Sequence, residues 1–163
     1  MDLLDRLLGH DTWTTRQLLL LCEPLSDEEL DRQFDISHGS LRTIFAHVVR
    51  NVEAWANLLD GKPMEGRGTP LPSWSIAEMI ERLDRGSEHL AQVARSIAER
   101  NAWDQTWIDP AEDPPIERSY GGAIAHVITH SMHHRAQLLY LMRLVGIEDR
   151  PEGDVLSWEN AIR

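Results

Sequence analysis

The residues of this chain best suited to chemistry are its histidines, of which there are eight among 163 residues. Four of them, His126, His130, His133 and His134, fall within nine consecutive positions. His130 and His134 are four residues apart, and on a helix such side chains lie one above the other with Cβ atoms ~5–6 Å apart. That spacing lets two imidazoles bind one divalent ion at ~2.0–2.1 Å each. The pair therefore predicts two ligands of a metal site.

A third ligand must come from another helix. His126 lies two turns from His134, roughly 12 Å along the axis at 1.5 Å per residue, so three side chains of this helix would hardly meet at one ion. His47 is the best candidate, because it lies at the edge of the buried face of a second predicted helix. His10 and His89 are alternatives by helical position alone.

Apolar residues that recur every three or four positions predict the helices that must position these side chains. We place four long helices at about 2–22, 41–60, 76–100 and 120–145. Ser40 and Ser75 are the expected N-caps of the second and third, and Pro24 and Gly146 follow the ends of the first and fourth. Four long helices in a chain of this length predict an all-α fold, a four-helix bundle forming a single domain over 1–163.

The segments between these helices have their own expectations. Ser26 and Glu29 form a capping-box pattern that predicts one short helical turn. The stretch 61–73 is rich in Pro and Gly, among them Gly66, and is expected to be a connection. We expect 101–119 to be irregular and to contain no strand. The tail around Trp158 is expected to pack back on the body as a short turn.

The fourth predicted helix differs chemically from the rest of the chain. No acidic residue lies between Ser119 and Ile147, although the chain has 27 of them, and the only formal charges there are Arg135 and Arg143. The helix is apolar nearly all round, which is typical of a helix buried on more than one side. Either it is the central helix of the bundle, or its back face contacts a second copy of the chain; we expect a homodimer.

Composition excludes several classes of partner. The formal net charge of −11 argues against nucleic acid and anionic membrane surfaces as partners. No apolar run approaches the ~20 residues that a membrane-spanning helix needs, and the first residues do not resemble a signal peptide. Cys22, the single cysteine, fits a reducing compartment. The chain is therefore expected to be cytoplasmic and to act on a small-molecule substrate.

Several pieces of the sequence, in this order, resemble the DinB/YfiT-like superfamily of bacterial metal-dependent enzymes. They are HDTWTTRQLLLL at 10–21, LSDEELDRQF at 25–34, HGSLRTIFAHVVRNVEAWANLLDG at 38–61 and AHVITHSMHHRAQLL at 125–139. The resemblance implies an up-down-down-up bundle and a metal triad that falls, by position, on His47, His130 and His134. One departure is Ala136, where members of the superfamily often have glycine.

Three neutral imidazoles leave a divalent ion with at least one open position, which is typical of catalytic zinc. We expect Zn²⁺ or Ni²⁺ as cofactor, although such ligands also suit copper and iron. The resemblance implies a transferase that uses a low-molecular-weight thiol of the bacillithiol or mycothiol type, or a hydrolase. One alternative is a non-catalytic metal- or small-ligand-binding stress-response protein, and another is a helical dimer with structural histidines. The roles of His10, His89, His126 and His133 stay open.

Other polar and aromatic residues have secondary expectations. Gln137 is placed to orient an imidazole, although ordinary hydrogen bonding along the helix is the commoner explanation. Arg135 is expected to be solvated or to lie in an interface. Trp103 and Trp107, in the segment before the histidine helix, are core fillers or part of a roof over the pocket. No residue is an evident general base.

Overall fold

The molecule is built from helices whose bounds follow the predicted ones closely. The computed structural model describes residues 1–64, 68–110 and 112–163. Its first five helices, in chain order, are α1 (Leu3–Cys22), α2 (Asp27–Asp31), α3 (Leu41–Leu59), α4 (Ile76–Glu99) and α5 (Tyr120–Leu144). Four of them are long and the second is the single short turn expected after Pro24. The predicted all-α fold is confirmed.

The predicted caps are also confirmed. The side chains of Ser26, Ser40 and Ser75 each accept a hydrogen bond from the backbone N–H three residues on. In all three the residue at that position bonds back to the cap, which completes a capping box. Each such cap contributes about 1 kcal/mol to helix stability. The beginnings of α2, α3 and α4 are therefore set by local chemistry.

The segment 101–119 contains a β-hairpin, so the expectation of an irregular segment without strands is wrong. Strands β1 (Thr106–Asp109) and β2 (Ile116–Ser119) pair antiparallel, with Thr106 opposite Ser119. Arg118 donates to Asp109 across the hairpin at 2.8 Å. Strands of four residues are too short to show a clear period-two pattern. The hairpin runs directly into α5 and so fixes where the histidine helix begins.

The tail forms a short helix where only a turn was expected. Helix α6 (Val155–Ala161) is capped by Asp154, whose carboxylate accepts hydrogen bonds from two backbone N–H groups. The Trp158 ring is buried against Gly9 of α1, where a Cβ would lie only 2.7 Å from Trp158 Cζ2. Glycine at position 9 therefore permits this close approach. The expectation that the tail packs back on the body is confirmed.

Contacts between α3 and α4 run in the same order along both helices. Glu53 pairs with Arg82, and seven positions further along each helix Asp60 pairs with His89. The order of these two contacts is that of two helices running in the same direction. The chain returns between them through the Pro/Gly-rich stretch, of which residues 65–67, including the predicted Gly66, lie outside the described residues.

Helix α5 contacts both α1 and α3, which accounts for its nearly uniform apolar character. It contributes Leu138, Leu141 and Met142 to the main core, where they are fully buried beside Phe45 and Leu18. In the part of the chain that the structure describes, no helix is both long enough and apolar enough to cross a membrane.

Candidate metal centre

Four imidazoles meet where α3 packs against α5. They belong to His47 on α3, to His130 and His134 on α5, and to His38 in the loop before α3. The Nε2 atom of His130 lies 3.3 Å from Nε2 of His47 and 3.3 Å from Nε2 of His134. The ring of His38 lies 4.1 Å, centroid to centroid, from that of His47. One ligand atom from each of His38, His47 and His134 lies within 4.8 Å of the others.

Helix geometry and one tight turn bring these side chains together. His130 and His134 share a face of α5 by their four-residue spacing. His38 is held by the turn before Ser40, where the backbone N–H of Phe34 donates to Gly39 O at 2.7 Å and Thr43 Oγ1 donates to His38 O at 2.6 Å. Gly39 has φ +84°, a conformation that glycine adopts without strain.

Burial favours the neutral form of these imidazoles at ordinary pH, which is the form that can bind a metal ion. It lowers the pKa of His47 to about 3 and that of His130 to about 4, because the charged form loses its hydration and would face other charged imidazoles. Burial also lowers the pKa of His38 and of His134. A neutral imidazole has a free lone pair, which is the form that binds a metal.

The spacing of the ring nitrogens fits a metal ion. Nitrogen ligands on a tetrahedral ion at ~2.0–2.1 Å lie about 3.3–3.4 Å from one another. The two 3.3 Å separations around His130 Nε2 match that edge length. The donors are all imidazoles, and imidazole suits Zn, Ni, Cu and Fe. The cluster is therefore compatible with a metal-binding protein.

Carboxamide side chains contact the outer nitrogens of the same rings. His134 Nδ1 lies 2.9 Å from Gln137 Oε1, so this N–H donates outward and leaves the Nε2 lone pair facing the cluster. Gln137 Nε2 in turn donates to His133 at 3.1 Å. Asn51 Nδ2 donates to His130 Nδ1 at 3.2 Å, which places the proton of this neutral ring on Nε2. The contact with Gln137 can fix the orientation of the His134 imidazole, which favours an orienting position for Gln137 over the commoner explanation of ordinary helix hydrogen bonding.

The structure brings all three sequence-predicted ligands together and adds a histidine that sequence reasoning missed. His38 belongs to a loop, where helical periodicity carries no information. The one available signal was that it lies two residues before Ser40, the predicted N-cap of the helix that carries His47. The two alternative third ligands have other partners: His10 Nε2 lies 2.8 Å from Gly153 O, and His89 Nε2 lies 2.9 Å from Asp60. Neither belongs to the cluster.

An aromatic row continues from the cluster towards the hairpin. The ring of His126 lies 5.3 Å from that of His130 and 5.2 Å from that of Trp55. Trp55 in turn contacts Trp107 of β1 edge-on, at 6.5 Å. A cavity of about 400 Å³ adjoins this row, lined by Trp55, Ala123 and His126 together with residues of the hairpin. The hairpin thus forms one wall of a cavity beside His126. Trp107 is not among the described residues that line this cavity, but it packs against Trp55, which does line it.

Arg135 is buried and paired, which corrects the expectation of a solvated or interfacial side chain. Its guanidinium is 3% exposed and forms an ion pair with Asp11 of α1, itself 7% exposed. Thr15 Oγ1 and the backbone oxygen of Asp11 each accept from Arg135 at 3.3 Å. Because Arg135 follows His134 directly, this pair fixes the rotation of α5 at the cluster.

The sequence model described as the DinB family matches residues 1–160. A search of curated proteins found no match.

Proposed function

The chain belongs to the DinB family, and from this membership and its imidazole cluster we propose that it is an enzyme dependent on a divalent ion, Zn²⁺ or Ni²⁺, held by His47, His130 and His134. The observation that carries the proposal is the pair of 3.3 Å separations from His130 Nε2 to its two neighbours. The lowered pKa values support it, because they keep these nitrogens available as ligands near neutral pH.

The reaction we propose is thiol-dependent group transfer, with a thiol of the bacillithiol or mycothiol type, or hydrolysis. A divalent ion supplies the same chemistry to both, since it lowers the pKa of a bound thiol or water and polarises a carbonyl. The protein's own part is to orient the His134 imidazole through Gln137 and to hold a small substrate beside Trp55 and His126.

His38 gives the proposal a proton acceptor. We propose that His38 stays off the ion although its ring belongs to the same cluster, and its lowered pKa favours the neutral form near pH 7. A neutral imidazole beside the site can accept a proton from an attacking group and return it to a leaving group. We therefore assign proton transfer to His38 and ligation to the other three.

Metal analysis tests the ligand set. Tag-free protein should hold close to one equivalent of metal, and His47→Ala should lose it, whereas His89→Ala removes an imidazole outside the cluster and should bind like wild type. Less than ~0.2 equivalents, with no uptake of Zn²⁺ or Ni²⁺, would contradict the proposal. That outcome would leave a helical protein with structural histidines.

Turnover assays separate the enzyme from a binding protein. Metal-loaded protein is tested with bacillithiol, mycothiol and glutathione against a panel of electrophiles, and with simple esters and amides without thiol. Thiol-dependent turnover supports the transferase and thiol-independent turnover supports the hydrolase. If metal binds but neither reaction occurs, the alternative is favoured: a non-catalytic metal- or small-ligand-binding stress-response protein.

We also propose that the protein is a cytoplasmic homodimer that contacts its second copy through the outer face of α5. That face carries no acidic residue, and the side chains of Met132 and Tyr140 on it are 54% and 57% exposed. Light scattering at micromolar concentration should give a dimer. The double variant Met132→Glu, Tyr140→Glu should be monomeric and Leu3→Glu, at an exposed position on α1, should not; a strictly monomeric wild type would contradict the proposal.

A further inference from the structure

A second cavity, of about 480 Å³, lies on the other flank of α3, against α4 and residues 69–72. Three arginines line it: Arg50, Arg82 and Arg85. Among the described residues that line it, Glu53 supplies the one carboxylate. The lining therefore has a formal surplus of positive charge, in a chain whose net charge is −11. Such a local reversal of sign favours an anionic ligand.

The arginines differ in how far the protein already uses them. Arg50 donates to the backbone oxygens of Thr69 and Pro70 at 3.1 and 3.3 Å, so it anchors the connection that walls the cavity. Arg82 donates through Nη2 to Glu53 at 2.9 Å, while its Nε is buried without a partner among the described residues. Buried N–H groups without an acceptor are uncommon in proteins. Because solvent does not reach this atom, a ligand would contact Arg82 through the exposed part of its side chain, which is 35% exposed as a whole.

Arg85 is the most available cation of the three. Its one ion pair among the described residues is with Glu81, at 4.0 Å, and its side chain is 65% exposed. It lies three positions after Arg82 on α4, so both guanidinium groups project from one face of the helix. The planar fork of a guanidinium group matches the paired oxygens of a carboxylate or a phosphate.

The remaining wall is mixed, with Asn57 and His89 as polar side chains and Trp74 as the large apolar one. The guanidinium of Arg82 lies over the Trp74 ring, 4.0 Å from its centroid, and this cation–π contact holds the guanidinium in position. Pro70 and Pro72 continue the same wall. The volume falls in the range of ~300–1,000 Å³ typical of small-molecule sites. These contacts describe a site for a small molecule with an anionic end and an apolar body.

We propose that this pocket binds a small carboxylate- or phosphate-bearing molecule, whose anionic group contacts Arg82 and Arg85 and whose apolar part lies against Trp74. The pocket is distinct from the imidazole cluster, although Arg50, which walls it, follows His47 by only three residues. Binding here requires no metal, so its test is independent of the proposed ligand set.

The test uses full-length, metal-free protein titrated with inorganic phosphate, pyrophosphate and succinate by calorimetry, so that anion binding to a metal is excluded. The indole N–H signals of the six tryptophans are followed by NMR, with Trp74→Phe to assign the one in the pocket. The variant is Arg82→Gln, Arg85→Gln. Its control is Arg95→Gln, Arg100→Gln, which removes the same two charges from α4 outside the pocket.

We expect saturable binding of at least one probe, a shift of the Trp74 signal, and at least tenfold weaker binding in the pocket variant, with less than threefold change in the control. Phosphate and succinate separate a phosphate ligand from a carboxylate ligand. The proposal is wrong if no probe saturates, or if both double variants weaken binding equally, which would show only long-range attraction. Should the double variant fail to fold, Arg85→Gln alone, at an exposed position, must still weaken binding several-fold.

Discussion

Replacing Asp11 by alanine should destabilise the protein severely, because it would leave the Arg135 guanidinium charged and buried without a carboxylate. Asp11 is the one carboxylate paired with Arg135 in the part of the chain that the structure describes. The Nε and Nη2 atoms of Arg135 are buried and have no hydrogen-bond partner among the described residues. Burial also raises the pKa of the Asp11 carboxyl even beside the guanidinium, which shows how dry this contact is.

The magnitude follows from what the variant removes and what it leaves. Breaking one side of a buried ion pair costs ~3–5 kcal/mol. In Asp11→Ala the bonds from Arg135 to Thr15 Oγ1 and to the backbone oxygen of residue 11 remain, each at 3.3 Å. Because these two hydrogen bonds remain, the expected loss in the free energy of unfolding lies near the lower end of that range, at about 3 kcal/mol. For a chain of this length that corresponds to a fall in Tm of roughly 6–12 °C.

Urea unfolding followed by circular dichroism measures the loss. Asp84→Ala serves as control, because Asp84 pairs with Arg16 at 3.4 Å with both side chains more than 40% exposed, and it should cost less than about 1 kcal/mol. The double variant Asp11→Ala, Arg135→Met removes both charges and should regain most of the lost stability. The reasoning fails if Asp11→Ala costs under about 1 kcal/mol, or if the double variant is no more stable than the single.

Three further outcomes are expected around the imidazoles. Gln137→Ala should weaken Zn²⁺ binding ~10–100-fold, whereas Gln92→Ala, at an unrelated glutamine of α4, should leave it unchanged; equal affinities would contradict an orienting role. His38→Ala should keep one equivalent of metal but lower turnover, and loss of the metal would make His38 a ligand instead. Since the pKa of His47 falls from 6.5 to about 3 on folding, unfolding takes up a proton between those values, so metal-free protein should lose stability as pH falls below about 6.5. His47→Gln should flatten that dependence, and an unchanged slope would argue against it.

The helices and half of the cluster were predictable because their causes are local. Ser40 and Ser75 cap their helices by bonds to residues three positions away, and apolar periodicity marks the rest. His130 and His134 meet through helix geometry alone. Its place at the edge of a buried face made His47 the best of three candidates for the third imidazole, and the family resemblance then pointed to it over His10 and His89.

The parts that sequence reasoning missed depend on contacts between distant segments or on backbone geometry. Arg135 has its partner 124 positions away, and nothing near it in the sequence indicates burial as an ion pair. His38 reaches the cluster through a turn that depends on the positive φ of Gly39. The hairpin pairs strands of only four residues. Its position depends on contacts with Trp55 and α5, which its own sequence does not indicate.

The imidazole cluster also has a mechanical consequence. His47 and His130 are 83 positions apart in the chain. A divalent ion bound to both would act as a removable cross-link between these distant parts of the chain. Because such an ion binds the folded chain in preference to the unfolded one, its free concentration would set how much stability the cross-link adds to the bundle.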